Sequence, residues 1–234
     1  MANPAQLLFN QLALWQISPP APPNTRAATV RQVRNPAVQD FAGHRIAIRH
    51  LEAIDQLLTE MTQSGADVAV YRKYFPAWCK AVFAFPHGWE ATPAGTDIPD
   101  VCLEHLQNLA EMFRYYVPAL QPNGLDSLRN YAQQIKDALV ADTSLPEQLR
   151  IHAHEVVLHL LWCADHYDIV GDFILADAVE RLAATIVRVA ANSSEENRTN
   201  VWSRFANTFV WPFAVNLMAA IPSQALAQLA LGSG

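Results

Sequence analysis

The chain reads as an all-α protein, a multi-helix bundle of about eight helices, one of them interrupted by proline. Three observations carry this. Apolar residues recur every three or four positions in segment after segment. Helix-start and helix-stop chemistry punctuates those segments. No period-2 apolar run of strand length and no repeat of 20–50 residues interrupts them.

The elements follow in order. Leu8, Leu12 and Trp15 sit at helical spacing and predict a first helix over 5–17. Next comes Ser18-Pro-Pro-Ala-Pro-Pro-Asn24, whose four prolines forbid a helix interior and favour an extended linker. The domain division expected is therefore 1–24, a helix and linker that could stand apart as an arm, and 25–234, the bundle. Phe41, Ile48, Leu51, Ile54, Leu58 and Met61 make one face of a helix over 37–64, with Gly65 as its stop. A helix over 66–85 contains Pro76, which predicts a kink or break at Phe75. Residues 86–99 hold three prolines and two glycines and read as a loop.

A helix over 98–117 ends before Pro118, and Leu125, Leu128, Ile135 and Leu139 mark another over 124–141. Ser144-Leu-Pro146-Glu147 combines a capping box with proline in a first turn, which predicts a helix start within two residues of Ser144. That helix runs to 169 and is closed by Gly171. Another follows over 172–191, and a second capping box, Ser193-Ser-Glu-Glu196, opens a last segment with Trp202 and Phe205.

Composition narrows the function classes. Apolar residues make up 51% of the 234, and only 16% are charged, below the roughly 25% of ordinary soluble domains. Such a chain has enough apolar residues for a large core, and its shortage of charge leaves open that some apolar surface meets a partner or a membrane. Its net charge of −6 gives no global attraction to nucleic acid. Residues 24–50 run the other way: Arg26, Arg31, Arg34, Arg45 and Arg49 face one acid, Asp40. They form a candidate basic patch, although little aromatic interleaving argues against base stacking. Three widely spaced cysteines without a C-x-x-C, and an N-terminus with no cation ahead of its apolar stretch, predict a cytoplasmic setting.

Catalytic motifs are sparse. The chain has no G-x-G-x-x-G, P-loop, G-x-S-x-G, H-E-x-x-H or Glu-x-x-His. The densest titratable cluster is His152, Glu155, His159, Cys163 and His166, which fall on one stripe of a helix. Imidazole, thiolate and carboxylate suit zinc, so His152, Glu155, His159 and Cys163 are candidate ligands. Four ligands on one straight helix cannot converge tetrahedrally on one ion, so no metal and no cofactor is expected. Residues 205–234 carry no charge at all, but Pro212, Asn216 and Pro222 cut the apolar run short of a membrane span. That tail is expected to be covered by protein rather than lipid.

Two resemblances bear on function. Arg45-Ile-Ala-Ile-Arg-His50 resembles the Arg/His pattern of the helical ribonucleases known as HEPN domains. It implies Arg45 and His50 as cleavage residues; the reading preferred from the residues themselves is a solvated basic helix face. Ser144-Leu-Pro-Glu-Gln-Leu-Arg150, Ala164-Asp-His-Tyr167, Gly171-Asp-Phe173, Ala178-Val-Glu-Arg181 and Trp202-Ser-Arg-Phe205 resemble the C-terminal part of small uncharacterised helical proteins of bacteria and their prophages. That resemblance covers residues 142–231 and implies a microbial setting linked to phage–host conflict, without an activity. The expectation is a non-enzymatic interaction protein, an immunity or regulatory component that binds a protein partner or itself. A membrane-associated effector using the charge-free tail and a HEPN-like nuclease are the alternatives.

Overall fold

The computed structural model describes residues 2–16, 25–31, 33, 41–83, 98–208 and 212–214. The chain is an all-α helical bundle. Among the described residues, seven helices run to twelve residues or more. The chain divides into two compact units, Ala2–Tyr116 and Val117–Gly234. The proline-rich stretch and most of the predicted 86–99 loop lie outside the described residues.

The first unit contains α1 (Pro4–Trp15), α2 (Ala27–Val30), α3 (Ala42–Gln63), α4 (Ala69–Phe83) and α5 (Asp100–Phe113). Helix α1 starts on Asn3, whose side chain accepts from Gln6 N at 3.0 Å, with Pro4 in the first turn. The same Asn3 donates Nδ2 to Ala110 O at 2.9 Å, tying α1 to α5. Leu8 and Leu12 are fully buried, and α1 packs on α3 and α5. This corrects the expectation of a detached arm: a helix with a buried Leu-Leu-Trp stripe gains more from the core than from water. The unit boundary falls after Tyr116 instead.

Helix α3 ends as its sequence predicts. Gly65 takes φ 87°, and Ala66 N donates to Met61 O while Gly65 N donates to Thr62 O. These are the two bonds of a Schellman stop, and only glycine adopts that backbone without strain. Helix α4 is the surprise. Pro76 lies inside it, and of the kink or break expected at Phe75 the break does not occur: the helix runs on to Phe83. Proline removes the donor to Arg72 O at a cost of about 3 kcal/mol, but Pro76 is exposed, so water can serve that carbonyl. Buried Tyr71, Trp78, Ala81 and Val82 pin the helix on both sides of the proline. Arg72 adds an anchor to α3, donating to Thr59 Oγ1 at 2.6 Å and pairing with Asp55.

The second unit contains α6 (Gly124–Ala141), α7 (Glu147–Asp165), α8 (Tyr167–Asn192) and α9 (Glu195–Asn197), followed by a π-helical turn (Arg198–Trp202) and α10 (Ser203–Thr208). Two short strands, β1 (Ala119–Leu120) and β2 (Phe213–Ala214), pair antiparallel. Helix α7 packs on both α6 and α8 around Leu139, Val157, Leu160, Leu175, Val179 and Ile186. Gly124 opens α6 where a Cβ would meet Leu120 at 2.8 Å and Pro212 O at 3.2 Å. A side chain there would have to displace the end of Leu120 and crowd the Pro212 carbonyl just ahead of β2.

The helix predicted from Ser144 starts later, at Glu147, and Ser144 does not cap it. Its hydroxyl is taken by Asp142, to which it donates at 2.6 Å. The second capping box shifts by one residue, with Ser194 accepting from Asn197 N at 3.3 Å while Ser193 donates to Asp142. Two local capping signals have been drawn into one tertiary knot. The chain turns at His166, one turn before the predicted stop, and Gly171 then breaks the helical path at φ 71°. Asp172, fully buried just after it, accepts from Tyr167 Oη at 2.6 Å and Leu120 N at 3.0 Å.

Candidate functional site

The first unit scatters the predicted basic and nuclease residues. Arg45 is exposed on α3, whereas His50 is 1% exposed. Five residues along a helix is about 140° of rotation, so the two do not share a face. Of the basic patch, Arg26 is exposed, Arg49 is half-buried and Arg34 lies outside the described residues. Arg31 is 5% exposed, a correction to its place in a surface patch. Its guanidinium donates to Val82 O at 2.6 Å and Ala81 O at 2.7 Å, and it lies 4.5 Å over the Trp15 ring. The physical reason is local: the last carbonyls of α4 lack helical partners, carry partial negative charge and attract a cation.

Trp15 also carries His44, stacked with ring centroids 4.4 Å apart. Burial lowers the His44 pKa from 6.5 to about 4, helped by the nearby Arg31 charge. A histidine held neutral on folding costs stability as pH falls, because the unfolded chain takes up the proton first. Stability should therefore be flat above about pH 6.5 and decline as pH falls toward 4. The decline should reach roughly 3 kcal/mol and be absent in His44→Phe. A pH series of urea melts checks this; parallel profiles for the two proteins would refute it.

The second unit holds the predicted metal stripe. His152 and His159 are half-buried, Glu155 is exposed and Cys163 is fully buried. His159 Nε2 stands 3.8 Å from Cys163 Sγ. Among the described residues, no three His, Cys, Asp or Glu side chains gather so as to hold a metal ion. The stripe lies along the flank of α7, between its core face and its outer face, and its rings serve packing. Trp162 stacks on His166 with ring centroids 4.7 Å apart, and the His159 ring lies near-parallel to it at 6.3 Å.

The outer face of α7 is what the titratable cluster obscured. Ile151, Leu158 and Trp162 sit seven and four residues apart, within about 40° of one another on the helix. They are 51%, 44% and 38% exposed, and Val140 at the end of α6 is 70% exposed beside them. Between the two helices lies a groove of about 490 Å³ lined by Leu139, Val140, Ile151 and Leu158 together with the polar Arg150, His154 and Glu155. Arg150 is paired with Glu147. The signal was present in the sequence: α7 is apolar on two opposite faces, and only one can meet the core of its own unit.

The tail bears less on this face. Phe205 and Phe213 are buried in the second unit, while Phe209, Trp211 and residues beyond 214 lie outside the described residues. Among the described residues, no helix is long and apolar enough to cross a membrane. Set against known proteins, the chain matches no family model, no curated protein and no solved structure at a significant level, so the reading of this surface rests on its own chemistry.

Proposed function

We propose that this chain is a non-enzymatic helical interaction protein that associates with a second copy of itself through the outer face of α7 and the end of α6. The observation that carries the reading is the exposed stripe of Ile151, Leu158 and Trp162 beside Val140. Each large apolar side chain moved from water into an interface contributes about 1.5–3 kcal/mol, and a stripe on one straight helix is well shaped for two-fold, self-complementary pairing. Arg150, paired with Glu147, flanks the stripe, and the exposed Glu155 carboxylate lies between Ile151 and Leu158, a charge that the partner copy must leave in water or answer with a cation. The resemblance of residues 142–231 to small helical proteins of bacteria and prophages supports a role as an immunity or regulatory component, with self-association as its working state. The nuclease alternative has no comparable support, since Arg45 and His50 do not meet on one face.

Sedimentation equilibrium over a wide concentration series tests the reading. The intact chain should dimerise, and the double variant Ile151→Asp/Leu158→Asp should weaken that association by at least about tenfold, the equivalent of ~1.4 kcal/mol, with an unchanged circular dichroism spectrum. Equal association by the two proteins would end the proposal.

A further inference from the structure

The apolar stripe on α7 carries a charge of its own. Glu155 follows Ile151 by four residues and precedes Leu158 by three, so it stands about 40° from the first and about 60° from the second. It is exposed and lines the groove together with Ile151, Leu158 and Val140. Among the described residues its carboxylate forms no ion pair. On α7 itself Arg150 is engaged by Glu147, and His152, His154 and His159 are half-buried. On α6, Lys136 is half-buried one turn before Val140 and Asp137 is exposed; neither pairs with Glu155. On α8, the other helix packed on α7, Asp177, Arg181 and Arg188 are exposed and Glu180 is half-buried, and none of them pairs with it.

Self-pairing turns this charge into a control. While its histidines are neutral, the stripe and its flank set one cation, Arg150, against two carboxylates, Glu147 and Glu155. A two-fold contact brings the same patch of both copies together, so the excess negative charge is doubled rather than cancelled. The contact also takes Glu155 out of water beside Ile151 and Leu158, and a covered carboxylate without a cation favours its neutral form. We propose that the cation that answers Glu155 is a proton, so that self-association through the α7 face tightens as pH falls below neutral, an inference that rests on the reading of that face given above. Two effects act in the same direction. Protonation of Glu155 removes the charge that pairing would cover. Histidine ordinarily gains charge as pH falls from about 8 to about 5, and a charged His154 in the groove offsets the same excess. Pairing therefore takes up protons, and the paired state gains on the separate copies as pH falls. Near neutral pH the copies pair weakly, and mild acid draws them together.

Sedimentation equilibrium of the intact chain, Glu155→Gln and His154→Gln from about pH 7.5 to about pH 5.5 tests this, with a circular dichroism spectrum at each pH to confirm the fold. The dissociation constant of the intact chain should fall at least about tenfold across that range. Glu155→Gln should associate at least about tenfold more tightly than the intact chain at about pH 7.5 and gain nothing from acid, whereas His154→Gln should keep an acid response. Weaker association of Glu155→Gln near neutral pH would overturn the proposal, because a side-chain cation of the second copy would then answer the carboxylate. Equal association there would overturn it as well, because the carboxylate would then stay in water. An acid response that survives in Glu155→Gln, or vanishes in His154→Gln, would assign the proton to a histidine and sink the proposal. The two readings fail separately. If Ile151→Asp/Leu158→Asp leaves association in mild acid intact, or if neither the intact chain nor Glu155→Gln associates at any pH, the docking face is wrong. If that double variant abolishes association while Glu155→Gln behaves as the intact chain does, only the proton-linked control falls.

Discussion

Replacing Asp142 with asparagine should destabilise the second unit by about 3–5 kcal/mol, the cost of breaking a buried charged network on one side. The carboxylate is almost wholly buried and accepts from five donors. Its Oδ1 receives Ser144 N at 3.0 Å, Ser144 Oγ at 2.6 Å and Asn197 Nδ2 at 2.7 Å. Its Oδ2 receives Ser193 Oγ and, at 2.8 Å, Trp202 Nε1. Asparagine is nearly isosteric, yet one of its two positions becomes an NH₂ that faces donors whichever way the amide turns. The turn before α7, the turn after α8 and the π-helical turn then lose their common anchor.

The pH dependence identifies the cause. Burial alone would raise the Asp142 pKa, but hydrogen bonds from Ser144, Ser193 and Trp202 outweigh it and hold the carboxyl well below the ordinary value of 3.8. A depressed carboxyl contributes stability that is complete above the unfolded value and lost as pH falls through the folded one. The gap between wild type and Asp142→Asn in urea melts should thus be constant from neutral pH to about pH 5 and narrow below about pH 4. A variant within about 1 kcal/mol of wild type at pH 7 would show that these five bonds do not hold the unit together.

Arg31→Ala should cost the first unit about 2–4 kcal/mol, from two hydrogen bonds to a charged donor and a lost cation–π contact. The carbonyls of Ala81 and Val82 would lose a partner in a buried place, and one face of Trp15 would lose its cover. A second readout separates this from simple loss of bulk. Because the Arg31 charge helps to lower the His44 pKa, the variant should titrate His44 upward from about 4 in an NMR series, while burial still keeps it below 6.5. Arg31→Met, which keeps the volume, should give the same upward shift. An unmoved His44 in both variants would remove the electrostatic link from the account.

Local chemistry carried much of the fold. The helix over 124–141 is found with the bounds expected, because its apolar face and flanking turns agree. Gly65 stops α3 because no other residue takes a positive φ so cheaply. Pro76 exposes the limit of such reasoning. Its local penalty is real, but buried neighbours on either side outweigh it, and burial depends on where α3 and α5 lie.

Local chemistry reached the site less far. His152, Glu155, His159 and Cys163 drew the eye because metal ligands are rare residue types, yet their spacing on α7 spreads them along a flank. Ile151, Leu158 and Trp162 were equally visible in the sequence, but apolar residues on a helix read as core until the core is known to lie on the other side.

The helical class of this protein, most of its helix positions and its charge-free tail are determined by the sequence alone, because periodicity, caps and stops act within one or two turns of chain. Tertiary structure decided the fate of its polar side chains: Arg31 inside against Trp15, Ser144 and Ser193 diverted from capping to Asp142, His50 buried and Arg45 exposed. Those outcomes turn on partners up to 60 residues away, as from Trp202 to Asp142. A buried donor or acceptor takes the best partner that packing brings to it, and no spacing rule along the chain specifies which one that is.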